Sequence, residues 1–90
     1  MTTVAVDVRV TGVVQGVFFR ARCRERAVEL RVKGWARNHA DGSVRGHFEG
    51  EPDAVRALVA WCHEGSPRAV VDAVEVSVGE VGGAAEFVTG

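Results

Sequence analysis

The arrangement of apolar residues along the chain is the feature that most restricts how it can fold. From Val4 to Val10 apolar residues alternate with polar ones, which predicts a strand with one buried face. From about Phe19 to Arg31 they recur every three or four residues, which predicts a helix with a polar outer face. Two short runs follow, Lys33 to Asn38 and Ser43 to Gly50, and the Asp-Gly pair between them is typical of a β-hairpin.

The second half of the chain continues with a helix signal and then a strand signal. Pro52 stands where helices begin well, apolar residues at helical spacing follow it, and Gly65 ends the pattern. Alternating apolar residues from Val74 to Val78 predict a fourth strand, and we expect a short tail strand from Ala85 to Val88.

The order strand, helix, strand, strand, helix, strand is that of the split βαβ, or ferredoxin-like, plan (βαββαβ). This α+β sandwich has one antiparallel sheet with two helices on one face, and its first and third strands lie in the centre. We expect the opposite face to be open to water and to carry charged side chains, namely Asp7, Arg9, Arg45, His47 and Glu49. Ninety residues provide one core, so we expect residues 1–90 to form a single domain.

Charge and composition exclude several classes of function. Eleven basic and twelve acidic residues give a net charge of −1, which argues against a nucleic-acid binder. The chain has no leader-like or membrane-spanning apolar run, so we expect a monomeric cytoplasmic protein that binds neither nucleic acid nor membrane. Cys23 and Cys62 fall on the apolar stripes of the two helices, which predicts buried free thiols, although a bridge between adjacent helices stays geometrically possible.

The stretch from Gly12 to Arg20 is a candidate anion site. It joins the first strand to the first helix through a glycine-containing loop, and such a loop can direct several backbone N–H groups at one point. Arg20 adds a planar charged fork that matches two phosphate oxygens. An Arg in the first helical turn opposes the helix dipole, unless a bound anion offsets both charges. This pattern predicts a site for a small anion, most simply a phosphoryl group.

Asn38 is a second candidate, because it closes the second strand where the chain plan brings that strand near the glycine loop. Its carboxamide both donates and accepts hydrogen bonds and could therefore orient a water molecule. Asn also precedes turns for purely local reasons, which leaves a structural role open.

Other kinds of catalytic site find little support. His39, His47 and His63 show no metal-ligand spacing, so we expect no metal site. No Ser has a convincing His and carboxylate pairing, and the Gly-x-x-x-x-Gly-Lys-Ser/Thr pattern of nucleotide-binding P-loops is absent from the sequence. The first strand also lacks the aromatic residues of RNA-binding split βαβ domains.

Residues 12–20, Gly-Val-Val-Gln-Gly-Val-Phe-Phe-Arg, and residues 34–44, Gly-Trp-Ala-Arg-Asn-His-Ala-Asp-Gly-Ser-Val, running on to Gly50, resemble the two signature stretches of the acylphosphatase family. The similarity covers the whole chain. The resemblance implies hydrolysis of the carboxyl–phosphate anhydride of a small-molecule acyl phosphate, without metal or cofactor, to a carboxylate and inorganic phosphate.

The resemblance also implies roles for individual residues. Asn38 positions the attacking water, and Arg20 binds the phosphoryl group together with the backbone of the loop residues Gln15, Gly16, Val17, Phe18 and Phe19. One alternative remains, a non-catalytic module on the same scaffold that binds an anion, carbamoyl phosphate or a partner protein, because a fold does not by itself give a function.

Overall fold

The computed structural model describes residues 2–90 and contains the predicted elements in the predicted order. The helices and strands are β1 (Val4–Val13), α1 (Phe19–Leu30), β2 (Lys33–Asn38), β3 (Val44–Gly50), α2 (Pro52–Glu64), β4 (Val70–Val78) and β5 (Phe87–Thr89).

β1 and β4 are longer than the side-chain alternation indicated. They pair with each other as far as Val13 and Val70, past an irregularity in register between Thr11 and Gly12. Gly12 has φ 123°, and a Cβ atom there would collide with the carbonyl of Val70. The glycine thus permits the bulge through which backbone pairing continues, beyond the point where the polar and apolar alternation stops.

The strand order of the sheet is β4-β1-β3-β2-β5. β1 and β3 lie in the centre, and all pairings among β1 to β4 are antiparallel, which confirms the split βαβ plan. The expectation of an antiparallel sheet needs correction at β5, which runs parallel to β2 and makes the sheet mixed. Phe87 of β5 is buried against Phe48, with 6.0 Å between the ring centroids. Burial of this ring in the core holds β5 beside β2.

Both helices cover the core side of the sheet, where α1 contacts β2 and β5 while α2 contacts β1, β3 and β4. The core includes Val8, Val10, Phe48 and Leu58. Cys23 and Cys62 are free and buried in it, as predicted. The neighbouring Cys62 thiol, together with burial, raises the pKa of the Cys23 thiol above its ordinary value, which favours the protonated form. Within the described chain no helix is long and apolar enough to cross a bilayer.

The other face of the sheet is charged but is only partly open to water. Asp7, Arg9, Arg45 and His47 are exposed or half-buried, as expected, whereas the expected exposure of Glu49 is wrong because this residue is only 4% exposed. The segment before β5 folds over Glu49, and its carboxylate accepts hydrogen bonds from three consecutive backbone N–H groups, those of Gly82, Gly83 and Ala84, at 2.9–3.2 Å.

Candidate active site

The loop between β1 and α1 ends in an unusual helix start. Phe18 is the N-cap of α1 and has φ 62°, a left-handed conformation that costs a residue with a Cβ roughly 1–2 kcal/mol. Its side chain makes no capping hydrogen bond, and the first turn of α1 has no acidic residue. The positive end of the helix dipole is therefore not offset by a capping side chain or by an acidic residue in the first turn of α1.

A buried hydroxyl holds the middle of this loop. Ser66, which follows α2 and is 3% exposed, donates from Oγ to the carbonyl oxygen of Val17 at 2.6 Å. Sequence reasoning missed Ser66, since the only local signal is its place just after the glycine that ends α2. The bond ties the loop to the far end of α2 and restricts its motion.

A second tie joins the loop to the β2–β3 hairpin. Gln15 donates from Nε2 to the carbonyl oxygens of His39 and Ser43, at 2.7 and 3.0 Å. The Gln15 side chain is thus engaged with the hairpin, and the carbonyl of Val17 is engaged with Ser66.

The hairpin that follows Asn38 is itself tightly bonded. The amide and hydroxyl of Ser43 both donate to Asp41 Oδ1. Arg9 and Arg45 each lie 3.2 Å from Asp41 Oδ2. The hydrogen bonds from Ser43, with those from the two arginines, hold the pKa of Asp41 well below its ordinary value. These bonds stabilise the hairpin that directly follows Asn38, the last residue of β2.

A cavity of about 350 Å³ lies between the loop and the end of β2. Its lining includes Gly16, Phe18, Phe19 and Arg20, together with Asn38, so the two candidate catalytic residues share one cavity. Gln15 and Val17 are not part of that lining within the described chain, and their participation through main-chain N–H groups stays a prediction.

Both polar side chains in this cavity are available to a ligand. Among residues 2–90, neither the guanidinium of half-buried Arg20 nor the carboxamide of exposed Asn38 has a hydrogen-bond or ion-pair partner. The cavity therefore brings together a guanidinium, a carboxamide and a helix N-terminus. The guanidinium and the helix N-terminus favour a bound anion, and the carboxamide can hydrogen-bond a water molecule beside it. The described residues contain no cluster of three or more His, Cys, Asp or Glu side chains that could hold a metal ion.

The acylphosphatase family model matches residues 6–89. The chain belongs to the acylphosphatase family. This confirms the resemblance seen in the two signature stretches.

Named members of the acylphosphatase family are similar over most of the chain. The acylphosphatase of Rubrobacter xylanophilus is 60% identical over 74 residues, which cover 82% of this chain and 67% of that protein. The acylphosphatase of a Nocardioides species is 51% identical over 83 residues, covering 92% of this chain and 84% of that protein.

Solved structures agree with this assignment. An acylphosphatase from Coxiella burnetii superposes with a TM-score of 0.93 at 37% identity, covering 97% of this chain and 92% of that one. A full-length HypF in phosphate- and nucleotide-bound form gives a TM-score of 0.91 at 27% identity, and this chain corresponds to 12% of its length.

Proposed function

We propose that this chain is an acylphosphatase that hydrolyses the carboxyl–phosphate bond of acyl phosphates, with the phosphoryl group held in the cavity between the β1–α1 loop and the end of β2. The observation that carries the proposal is that Arg20 and Asn38, both without a partner in residues 2–90, line this one cavity at the start of α1. Family membership supports the same reaction.

Arg20 binds the phosphoryl group. Its guanidinium donates two parallel hydrogen bonds to phosphoryl oxygens, and backbone N–H groups of the Gln15–Phe19 loop donate to the others. These donors stabilise the charge that spreads over the phosphoryl oxygens in the transition state. Losing one preorganised donor of this kind typically costs about 3–4 kcal/mol.

Asn38 orients the attacking water. Its carboxamide oxygen accepts a hydrogen bond from the water, whose lone pair is then directed at phosphorus opposite the departing carboxylate. The P–O bond to the carboxylate breaks as the new P–O bond forms, and both water protons remain on the phosphate product. The leaving group is the base of an acid with a pKa of about 4, so it departs without help from a general acid.

We further propose that the protein acts as a cytoplasmic monomer on small molecules and does not bind nucleic acid. The net charge of −1 supports a small-molecule ligand over a nucleic acid. Two buried free thiols agree with a reducing compartment.

The test is phosphate release from a generic acyl phosphate by the purified protein in the presence of EDTA. We expect release well above the buffer blank, and we expect Arg20→Lys to remove most of it. Arg22→Lys is the matched control, because Arg22 lies in the same helical turn but points to solvent and pairs with Glu25. Release no faster than the blank would overturn the proposal, and saturable phosphate binding in that case would favour a non-catalytic binding module.

A further inference from the structure

Phe18 has a conformation and an environment that do not suit its residue type. It is 71% exposed, whereas burial of a phenyl ring would contribute to stability. Its φ of 62° belongs to a region where Gly, Asn and Asp are the common residues. Of all the Phe and Trp side chains in residues 2–90, Phe18 alone is exposed, the others being buried or half-buried. Folding of the chain therefore does not account for an aromatic ring at this position.

Phe18 borders the candidate active site. Phe18 lines the same cavity as Arg20 and Asn38, beside the apolar residues Val14 and Ala21. The cavity volume of about 350 Å³ lies within the range of roughly 300–1,000 Å³ typical of small-molecule sites. This space accommodates more than a phosphoryl group, and its polar groups and its apolar groups match the two ends of an acyl phosphate.

We propose that Phe18 is a specificity-determining residue that contacts the acyl group of the substrate, so that the site favours aromatic or extended apolar acyl phosphates over acetyl phosphate. The proposal rests on the function proposed above. The donors around Arg20 grip the phosphate end, which every acyl phosphate shares, and therefore cannot discriminate. A phenyl ring beside the cavity can remove apolar acyl surface from water and offer a face or edge for a second ring.

The first experiment compares kcat/KM for benzoyl phosphate and acetyl phosphate in the wild type and in Phe18→Asn. Asn tolerates the left-handed conformation, and any disturbance of the loop acts on both substrates and cancels in the ratio of the two values. We expect the benzoyl-to-acetyl ratio to fall by about tenfold. Phe18→Tyr, which keeps the ring, should preserve the ratio. Val28→Asn should preserve it too, because Val28 is a 61% exposed apolar residue of α1 outside the cavity.

The second experiment measures binding without turnover, using benzoylphosphonate and acetylphosphonate in calorimetry. We expect the wild type to bind the benzoyl compound more tightly and Phe18→Asn to lose that preference. A wild type without a preference, or a variant that loses affinity for both ligands equally, would overturn the proposal. Preferential binding of the benzoyl compound without phosphate release from either substrate would support the role of Phe18 and contradict the proposed hydrolysis.

Discussion

Gln15 Nε2 lies 2.7 Å from the carbonyl oxygen of His39 and donates a hydrogen bond to it. This bond joins the two signature stretches of the chain directly. Because His39 follows Asn38, the bond sets how close the Asn38 carboxamide lies to the loop that precedes α1. In the proposed mechanism that separation is the distance from the water-orienting group to the phosphoryl group.

Gln15→Ala should therefore impair the reaction more than phosphate binding. The substitution removes the two hydrogen bonds from the Gln15 side chain to the hairpin, so we expect Asn38 to move relative to the loop. A displacement of about 1 Å can lower kcat by about 10- to 100-fold. The measurement is kcat together with the inhibition constant for inorganic phosphate. A rise in that constant in parallel with the loss of kcat would instead make Gln15 a phosphate-binding side chain.

Arg20→Lys should remove both turnover and phosphate affinity, since a point charge does not replace a bidentate fork. We expect kcat/KM to fall by about 10²–10³. Phosphate inhibition is measured in parallel, with Arg22→Lys as the variant that should behave as wild type. Unchanged inhibition by phosphate in Arg20→Lys would contradict the assignment of Arg20 to the phosphoryl group.

Asn38→Ala should lower kcat by about 10²-fold or more while the phosphate inhibition constant stays near the wild-type value, as expected for a group that acts only in the transition state. His39→Ala provides a control at the exposed neighbouring position, because the bond from Gln15 goes to the His39 backbone and survives this change. If binding and turnover fell together in Asn38→Ala, the water-orienting role would be wrong.

Ser66→Ala should destabilise the protein and loosen the loop. The substitution removes the hydrogen bond to the carbonyl oxygen of half-buried Val17, and a bond of this kind contributes about 0.5–1.5 kcal/mol to the free energy of unfolding. Chemical denaturation measures this loss. Ser77→Ala, at an exposed position of β4, should change stability by less than about 0.5 kcal/mol. Equal stability of the two variants would show that the Ser66 bond contributes nothing.

The Glu49 carboxylate should make stability depend on pH in the acid range. The N–H groups of Gly82 to Ala84 and the ring of His47 lower the pKa of Glu49 from 4.5 to about 2. Because the folded-state pKa is the lower one, this contribution is complete above pH 4.5 and is lost as the pH falls towards 2. The Tm difference between wild type and Glu49→Gln should therefore shrink over this interval, and a constant difference would contradict the prediction. Glu64→Gln, at the exposed end of α2, is the control.

His47 should make stability depend on pH in the opposite sense, with stability lost as the pH rises. Burial alone would lower the pKa of its ring, but its hydrogen bonds to Asp7 and Glu49, both of 2.6 Å, outweigh burial and raise it above 6.5. Protonated His47 thus stabilises the fold fully below pH 6.5, and this contribution is lost as the pH rises through the folded-state pKa. When Tm is measured at increasing pH above 6.5, the Tm of His47→Gln should fall less steeply than that of the wild type.

The sequence predicted the features that depend on neighbouring residues. Periodicity of three to four residues marked both helices, alternation and an Asp-Gly turn marked the first three strands, and Gly16 with Arg20 marked the anion loop. Asn38 was found because the plan of the fold places the end of β2 beside that loop. These signals are readable because backbone propensity and amphipathic spacing act within a few residues along the chain.

Only the tertiary structure decided which distant groups meet. The bond from Ser66 to Val17, the enclosure of Glu49 by residues 82–84 and the parallel seat of β5 beside β2 each join parts of the chain far apart in sequence. None of these residues carries a local signal of its partner, and Glu49 even stands at a position where alternation indicated exposure. Such contacts arise from packing the whole chain around one core, where burial and hydrogen-bond satisfaction override local preference.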